Sequence, residues 1–345
     1  MDLNSESAAL NHHAIEASRR LGTLRPEQIQ AALKRFDCGE FVSAEPVPYG
    51  LFGQNVFVTS TAGQYVLRGK PHFIWQFPKE RYFCDQIKAQ TRVPVPHPYR
   101  IDESTNIFGW SYVLMPRMPG TFIHDPAVIN TLTLEDRIAV AAAMGETLAD
   151  LHNCHFPHCG EYELSSNAVV PPDMPFSKWV RRHIRRTLDN CALLPEYSPP
   201  ADVEWFWSVI EAAAPAMDVP FQPCAVMHDF KEGNANHEII DGRWRVTGLF
   251  DLMEFFVGDG EMDLSRQAAG YFELDKRAAT AFVGSYLARH PARPRFEERF
   301  RLYLLSDRLT IWDYGTQHGW FKSGEQLRPW LETILNTASA TLNTL

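Results

Sequence analysis

Three oxygen-bearing side chains, Asp229, Asn234 and Asp251, stand in a pattern that could do chemistry. The first two belong to Met227-His228-Asp229-Phe230-Lys231-Glu232-Gly233-Asn234, and the third follows Gly248-Leu249-Phe250. Two apolar runs lead to the carboxylates: Pro223 to Met227 toward Asp229, and Trp244 to Phe250 toward Asp251. Between them, His237-Glu238-Ile239-Ile240 reads as a strand and Asp241-Gly242 as a type I′ hairpin turn. That hairpin would deliver Asp251 back beside Asp229 and Asn234. Two hard-oxygen ligands and a further carboxylate then converge, as handling Mg²⁺ and a phosphoryl group requires. An acidic surface hairpin would use the same residue types as turn formers; the extent of the pattern, from 226 to 264, separates the two readings.

The spacing Asp-x-x-x-x-Asn, then an Asp after a strand, resembles the catalytic core of protein kinases. The second Asp is followed by Glu254, Gly258-Asp259 and Asp263-Leu264, which is more similar to the aminoglycoside phosphotransferase and choline kinase group. Val226 to Phe230 resembles the hygromycin phosphotransferase form of the motif. The resemblance implies an α+β, bilobal, protein-kinase-like fold with a small β-sheet lobe and a larger, mainly helical one. It also implies roles. Asp229 would orient or deprotonate a substrate hydroxyl, Asn234 and Asp251 would hold Mg²⁺, and Lys231 would contact the γ-phosphate. Asp263, in Met-Asp-Leu, would buttress the catalytic loop. His228 stands where the family usually has Gly and Met227 where it has His, which leaves the bracing of the loop open.

The elements that must position these groups can be read in order. Arg25 to Phe36 carries Ile29, Ala32, Leu33 and Phe36 on one helical face, with Pro26 in its first turn. Val47 to Ser60 reads as strand, glycine-bearing turn and strand, and Gln64 to Arg68 as the third strand of a meander. Gly50, Gly53 and Asn55 are the candidates for phosphate contact, through backbone N–H groups at the turn; an ordinary hairpin turn would look alike. By the resemblance Arg68 is the strand cation that meets the α/β-phosphates, with Lys70 the alternative. Glu80, in the helix opened by Pro78, is its partner, with Asp85 second. The strand Trp110 to Met115 runs into Pro116-Arg117-Met118-Pro119-Gly120, where the Pro116 carbonyl and Met118 N–H would read adenine. The chain then divides into 1–118, the nucleotide lobe, and 119–345, the lobe with catalytic loop, metal site and substrate helices.

In the second part, a helix from Leu134 is capped by Thr133 with Asp136, and Glu163 to Pro175 reads as loop. Phe176 to Cys191 sets Arg181, Arg182, Arg185 and Arg186 on a face that is either solvated or anion-binding. Helices over 202–214, 262–269, 275–289, 295–317 and 325–342 follow from apolar periodicity. His152, Cys154, His155, His158 and Cys159 offer zinc-ligand types within eight residues, against the plainer reading of a polar helix end.

Composition sets limits. The 345 residues are 45% hydrophobic and 22% charged, the balance of a globular protein. A net charge of −9 disfavours nucleic acid as a partner, because a phosphate backbone needs a positive footprint. No apolar run nears the roughly 18 residues of a membrane span. Met1 to Glu6 lacks the pattern of a signal peptide, and six unpaired-looking cysteines suit reduced, cytoplasmic thiols. A monomer or weak dimer is expected. The expected activity is transfer of the γ-phosphoryl of ATP, with GTP possible, to a hydroxyl of a small molecule. Glu254, Asp259 and Glu261, just past the second metal ligand, point to a cationic acceptor such as an aminocyclitol antibiotic, and so to antibiotic resistance. A metabolic alcohol such as choline, homoserine or a ketosamine is the alternative. A nucleotide-binding pseudokinase would lack one of Asp229, Asn234 or Asp251, and a protein kinase would need an activation segment for which there is no room.

Overall fold

The computed structural model describes residues 21–48 and 54–342. Its first element, helix α1 (Pro26–Arg35), buries Ile29, Ala32 and Leu33 against Val56, Val58, Leu67 and Leu114 of an antiparallel sheet. The strands β1 (Phe41–Pro46), β2 (Gln54–Ser60), β3 (Gly63–Gly69), β4 (Arg100–Asp102) and β5 (Tyr112–Pro116) lie in the order β1-β2-β3-β5-β4. Along β2 burial alternates residue by residue, the period-2 signature of a half-buried strand. The register sets Arg68 opposite Asn55 on one side and Val113 on the other.

One sequence expectation shifts here. The first strand of the meander ends at Pro46 rather than starting at Val47. It is an edge strand whose last five residues are exposed, so it carries no apolar alternation to read.

Helix α2 (Gln76–Gln90) packs behind the sheet, and the chain crosses at 116–120 into the second lobe. There a short helix α3 (Pro126–Ile129) precedes α4 (Leu134–Leu151), which begins at the capping box read from sequence. The Thr133 hydroxyl accepts from the Asp136 N–H at 3.1 Å, and Asp136 Oδ2 accepts from the Thr133 N–H at 3.0 Å. The segment expected as loop contains a small hairpin, β6 (Glu161–Glu163) and β7 (Ala168–Val170). A bridge from Gly160 to Val257 anchors it, a tertiary contact that its Ser- and Asn-rich sequence does not announce.

Helices α5 (Phe176–Cys191) and α6 (Pro200–Ala213) follow, then β8 (Cys224–Val226), β9 (Ala235–Ile240), β10 (Arg243–Leu249) and β11 (Phe256–Gly258). Helices α7 (Leu264–Leu274), α8 (Lys276–Leu287), α9 (Phe296–Gln317) and α10 (Leu327–Leu342) complete the lobe. The turn between β9 and β10 has positive φ at both Asp241 (51°) and Gly242 (74°), as type I′ demands.

Two apolar clusters fill the molecule behind the small one under α1. The larger runs from Phe77 and Phe83 of α2 through Met144 and Leu148 of α4 to Phe282 of α8. The other joins Trp179 and Ile184 of α5, Phe206 of α6, Trp312 of α9 and Leu331 of α10. The α5 arginines take the solvated alternative: Arg181 pairs with Glu211, and Arg185 bonds Asp189 at 2.9 Å. No helix of the described residues is long and apolar enough to cross a membrane.

Candidate active site

Asp229 lies on the loop that leaves β8. The loop is braced by Asp263, whose Oδ2 accepts from the Met227 N–H and Oδ1 from the His228 N–H, both at 2.6 Å. His152, at the end of α4, steadies Asp263 at 3.2 Å and meets the Tyr286 hydroxyl at 3.0 Å. His228 sits at φ 66°, the left-handed region where glycine is at ease. The two N–H bonds to Asp263 hold the strained turn, at a strain of about 1–3 kcal/mol. This answers how a loop with His in the glycine position keeps its shape. It also accounts for His152. Cys154 is buried and its thiol is pushed up to about 12 by that burial, a poor start for a metal-binding thiolate.

Asn234 closes the loop. Its Nδ2 donates to the Asp229 carbonyl at 2.9 Å and to Asp229 Oδ2 at 3.1 Å, and Lys231 Nζ donates to the same Oδ2 at 2.7 Å. The hairpin then returns as expected: the Phe250 N–H bonds the Asn234 carbonyl at 3.0 Å, so Asp251 stands next to this pair. Asp251, also at positive φ (65°), keeps an exposed carboxylate.

Across the cleft from the sheet comes Arg68. Its Nη1 bonds both oxygens of Glu80, at 3.1 and 2.9 Å, and its Nη2 reaches toward Asp251 Oδ1 at 3.9 Å. Burial works against the Arg68 charge, yet Glu80, Tyr99 and Asp251 together raise its pKa above that of a free guanidinium. Burial likewise pushes Glu80 up, and Arg68 opposes it. The Tyr99 hydroxyl donates to Glu80 at 2.6 Å and Gln76 Nε2 donates at 3.1 Å. Neither Tyr99 nor Gln76 was singled out in the sequence, because both act only through a residue brought to them by folding. The alternatives fall elsewhere. Asp85 faces His97 at 3.4 Å near the surface, and Lys70 is exposed just past β3.

The crossing at 116–120 rests on the β9–β10 hairpin. The Met118 carbonyl accepts from Asn236 Nδ2 at 3.1 Å, and the Pro119 carbonyl from Thr247 Oγ1 at 3.0 Å. Two glycines permit this approach. A Cβ on Gly248 would lie 2.4 Å from Met118 Cβ, and one on Gly120, at φ 96°, would lie 2.2 Å from Thr247 Oγ1. Pro116 ends β5 opposite Tyr65. Asn55 is on β2 beside Arg68, while Gly50 and Gly53 lie outside the described residues.

The three acids expected at the acceptor do not act together. Asp259 and Glu261 are 2% and 5% exposed and are enclosed by arginines. Arg293 Nη2 bonds both Asp259 oxygens at 2.6 and 2.7 Å, Arg299 Nε bonds Glu261 Oε2 at 2.8 Å, and the Tyr303 hydroxyl donates to Asp259 at 2.9 Å. Their expected contact with an acceptor is therefore corrected: they join the loop after β11 to α9. Glu254 alone is exposed. It is the foremost of the acids that offset the lowering of Lys79 by burial, which turns it toward α2.

Sequence reasoning missed the groups behind Asp229. Arg266 of α7 brings Nη1 to 3.7 Å from Asp229 Oδ1 and Nε to 2.6 Å from Asp307 Oδ1 of α9. The signal was present as helical spacing: Asp263, Arg266 and Gln267 stand at i, i+3 and i+4 and share one face.

The lobed architecture has counterparts among solved structures. A thermostable aminoglycoside phosphotransferase APH(4)-Ia, in ternary complex with ADP and hygromycin B, is 16% identical, with 90% of this chain and 97% of that one covered and a TM-score of 0.63. The GDP complex of an aminoglycoside 2′-phosphotransferase-IIIa mutant gives 11% identity, 92% and 97% coverage and a TM-score of 0.59. At such identities the likeness speaks for the fold. Among curated proteins, a homoserine kinase of Methylobacillus flagellatus is 28% identical over 136 residues, 38% of this chain and 39% of that enzyme's length. The model of the phosphotransferase enzyme family matches residues 43–298, from β1 to the start of α9, a stretch that includes Arg68, Glu80, Asp229, Asn234, Asp251 and Arg266. The chain belongs to that family, and it has the kinase-like fold of these phosphotransferases.

Proposed function

We propose that the protein transfers the γ-phosphoryl group of ATP to a hydroxyl of a small molecule in a Mg²⁺-dependent reaction. The observation that carries this reading is the convergence on one cleft of Asp229 and Asn234 from the loop after β8, Asp251 from the end of β10 and Arg68 from β3. The donor set fits the metal. Asn234 spends its amide nitrogen on Asp229, which leaves the amide oxygen, and Asp251 offers an exposed carboxylate, two hard oxygens of the kind Mg²⁺ takes. Mg²⁺ held there would neutralise charge on the nucleotide phosphates.

The chain's own groups divide the remaining work. Arg68, fixed by Glu80, keeps Nη2 toward the cleft for the α/β-phosphates. Lys231, beside Asp229, is placed to meet the γ-phosphate. Asp229 Oδ2 accepts the acceptor's O–H; as the acceptor oxygen bonds to phosphorus, the bond to the β–γ bridging oxygen breaks and the proton passes to Asp229. Such a transfer needs positioning and charge neutralisation more than covalent catalysis. At the crossing, the Met118 N–H donates no hydrogen bond within the described residues, and with the Pro116 carbonyl it offers the donor–acceptor pair an adenine edge needs. Guanine would set its own carbonyl against Pro116, so ATP is the expected donor. Gly50 and Gly53 keep their proposed role at the phosphates. Residues 1–118 would serve the nucleotide and 119–345 the acceptor.

For the acceptor, a metabolic hydroxyl compound is the better-supported reading. With Asp259 and Glu261 enclosed, only Glu254 remains of the acids that argued for a polycation, and a curated relative is a homoserine kinase. An aminocyclitol antibiotic is the second reading, favoured by the neighbour that holds hygromycin B. Screening both classes for ATP consumption, with Asp229→Asn as control, decides. Turnover found with the wild type should fall about 10²- to 10⁴-fold in the variant. Intact turnover in Asp229→Asn would end the assignment.

A further inference from the structure

The two oxygens of the Asp229 carboxylate keep different company. Oδ2 accepts from Lys231 and Asn234. Oδ1 is buried and, among the described residues, accepts no hydrogen bond; the guanidinium of Arg266 lies 3.7 Å away. Arg266 is itself paired from behind by charge: its Nε lies 2.6 Å from Asp307 Oδ1, though not aligned for a hydrogen bond. The other Asp307 oxygen takes two bonds from Arg308, at 2.9 and 2.6 Å. Burial works against the Asp307 charge, but Arg266 and Arg308 bring its carboxyl below the usual range, so it is a fixed anion behind a fixed cation.

Asp263, which caps α7, and the first turn of that helix grip the catalytic loop with one face. Asp263 takes the backbone N–H groups of residues 227 and 228, and Gln267 Oε1 takes that of Glu232 at 2.7 Å. Arg266, between them on the same face, is the member of the three that reaches the reacting side chain. Asp263 and Gln267 therefore hold backbone, and Arg266 holds the carboxylate.

We propose that Arg266 is a positioning residue for Asp229, locked by Asp307 of α9, and that it keeps Oδ2 turned toward the acceptor by occupying the Oδ1 side. The inference rests on the reading of Asp229 given above. A carboxylate bonded on one oxygen and facing a guanidinium on the other is biased against rotation about its terminal bond. Freed of Arg266, it would turn away from the line of transfer without loss of nucleotide or of the loop's backbone shape.

The test uses the full chain and hydrolysis of Mg·ATP with water as acceptor, so that no identified substrate is needed. ADP formation, KM for ATP and the thermal stabilisation produced by ADP are measured for wild type, Asp229→Asn, Arg266→Gln, Arg266→Lys and Asp307→Asn. Arg266→Gln is expected to lose about ten- to a hundredfold in kcat, a typical cost of small misplacement, with KM and the ADP shift within about twofold of wild type. Arg266→Lys and millimolar guanidinium added to Arg266→Gln should each restore part of the rate. Asp307→Asn should show a smaller loss of the same kind.

A wild-type rate in Arg266→Gln beside a slow Asp229→Asn overturns the inference alone, as does a loss that lies wholly in KM. A wild-type rate in Asp229→Asn overturns the reading of Asp229 and this inference with it. If Arg266→Gln does not fold, Asp307→Asn decides by the same criteria.

Discussion

Two buried sites in this protein are built from the same parts and do opposite things. Arg68 with Glu80 and Tyr99, and Arg293 and Arg299 with Asp259, Glu261 and Tyr303, both pair guanidinium with carboxylate away from water and add a tyrosine hydroxyl. In the first, one end is left over: Arg68 Nη2 reaches toward Asp251, whose side chain is 43% exposed in the cleft. In the second, each acid is enclosed by arginine, and Arg299 is fully buried. A cluster with an unspent donor at its edge can bind a ligand. A cluster closed on itself is a joint. The residue types are the same; what differs is whether folding leaves one polar group unmatched where solvent or substrate can reach it.

The contrast can be broken most directly at the closed site. Glu261→Gln takes from Arg299 its nearest buried counter-charge and leaves Asp259 at 4.0 Å, and loss of one partner from such a pair costs about 3–5 kcal/mol. Chemical denaturation should show that loss, while KM for ATP in the folded fraction stays at the wild-type value. A changed KM would mean that the joint reaches the cleft after all.

A third buried polar group sharpens the comparison, because it is neither paired nor open. His237 of β9 lies beneath the crossing with neither ring nitrogen hydrogen-bonded among the described residues, and burial lowers its pKa to about 4. With the unfolded value near 6.5, unfolded chains bind a proton that the folded protein refuses. Stability should therefore be flat above pH 6.5 and decline as the pH falls toward 4, by roughly 3 kcal/mol in all. Denaturation of His237→Phe across this range should lack that component. An unchanged acid slope would remove His237 as its source.

At the open site the effect is expected in binding and rate. Arg68→Lys keeps the charge but loses the fork that spans Glu80 and the cleft. One charge-assisted hydrogen bond lost corresponds to a drop of about tenfold or more in kcat/KM for ATP, with the melting temperature little altered. A large fall in melting temperature with unchanged kinetics would make this cluster a joint as well. The smallest change is expected of Glu254→Gln. An exposed acid that acts on Lys79 only through its field should leave ATP turnover within about twofold, as exposed charges interact weakly.

How much of this was legible depends on distance along the chain. Asp229, Asn234 and Asp251 could be read because a loop and a type I′ hairpin, both local, bring them together. The Thr133–Asp136 capping box was legible for the same reason. Arg68 and Glu80 could be placed by their order among strand and helix, but their supporters Gln76 and Tyr99 could not. The edge strand β1 has no burial pattern to betray it, and the β6–β7 hairpin depends on a bridge to Val257. Asp259 and Glu261 were misread because proximity to Asp251 in sequence says nothing of which way a side chain turns. The arginines that enclose them arrive from α9 and the segment before it, more than thirty residues on.

The amino-acid sequence by itself determined the chemistry available here: hard oxygens at fixed spacing, a strand cation, a helix acid and a proline-bounded crossing, each set by short-range geometry. Tertiary structure alone decided which charges remain free to use it. That choice is made by desolvation. An ion carried inside must be matched by whatever the rest of the fold brings to it, and only packing determines that Arg266 faces Asp229 while Arg299 is sealed against Glu261.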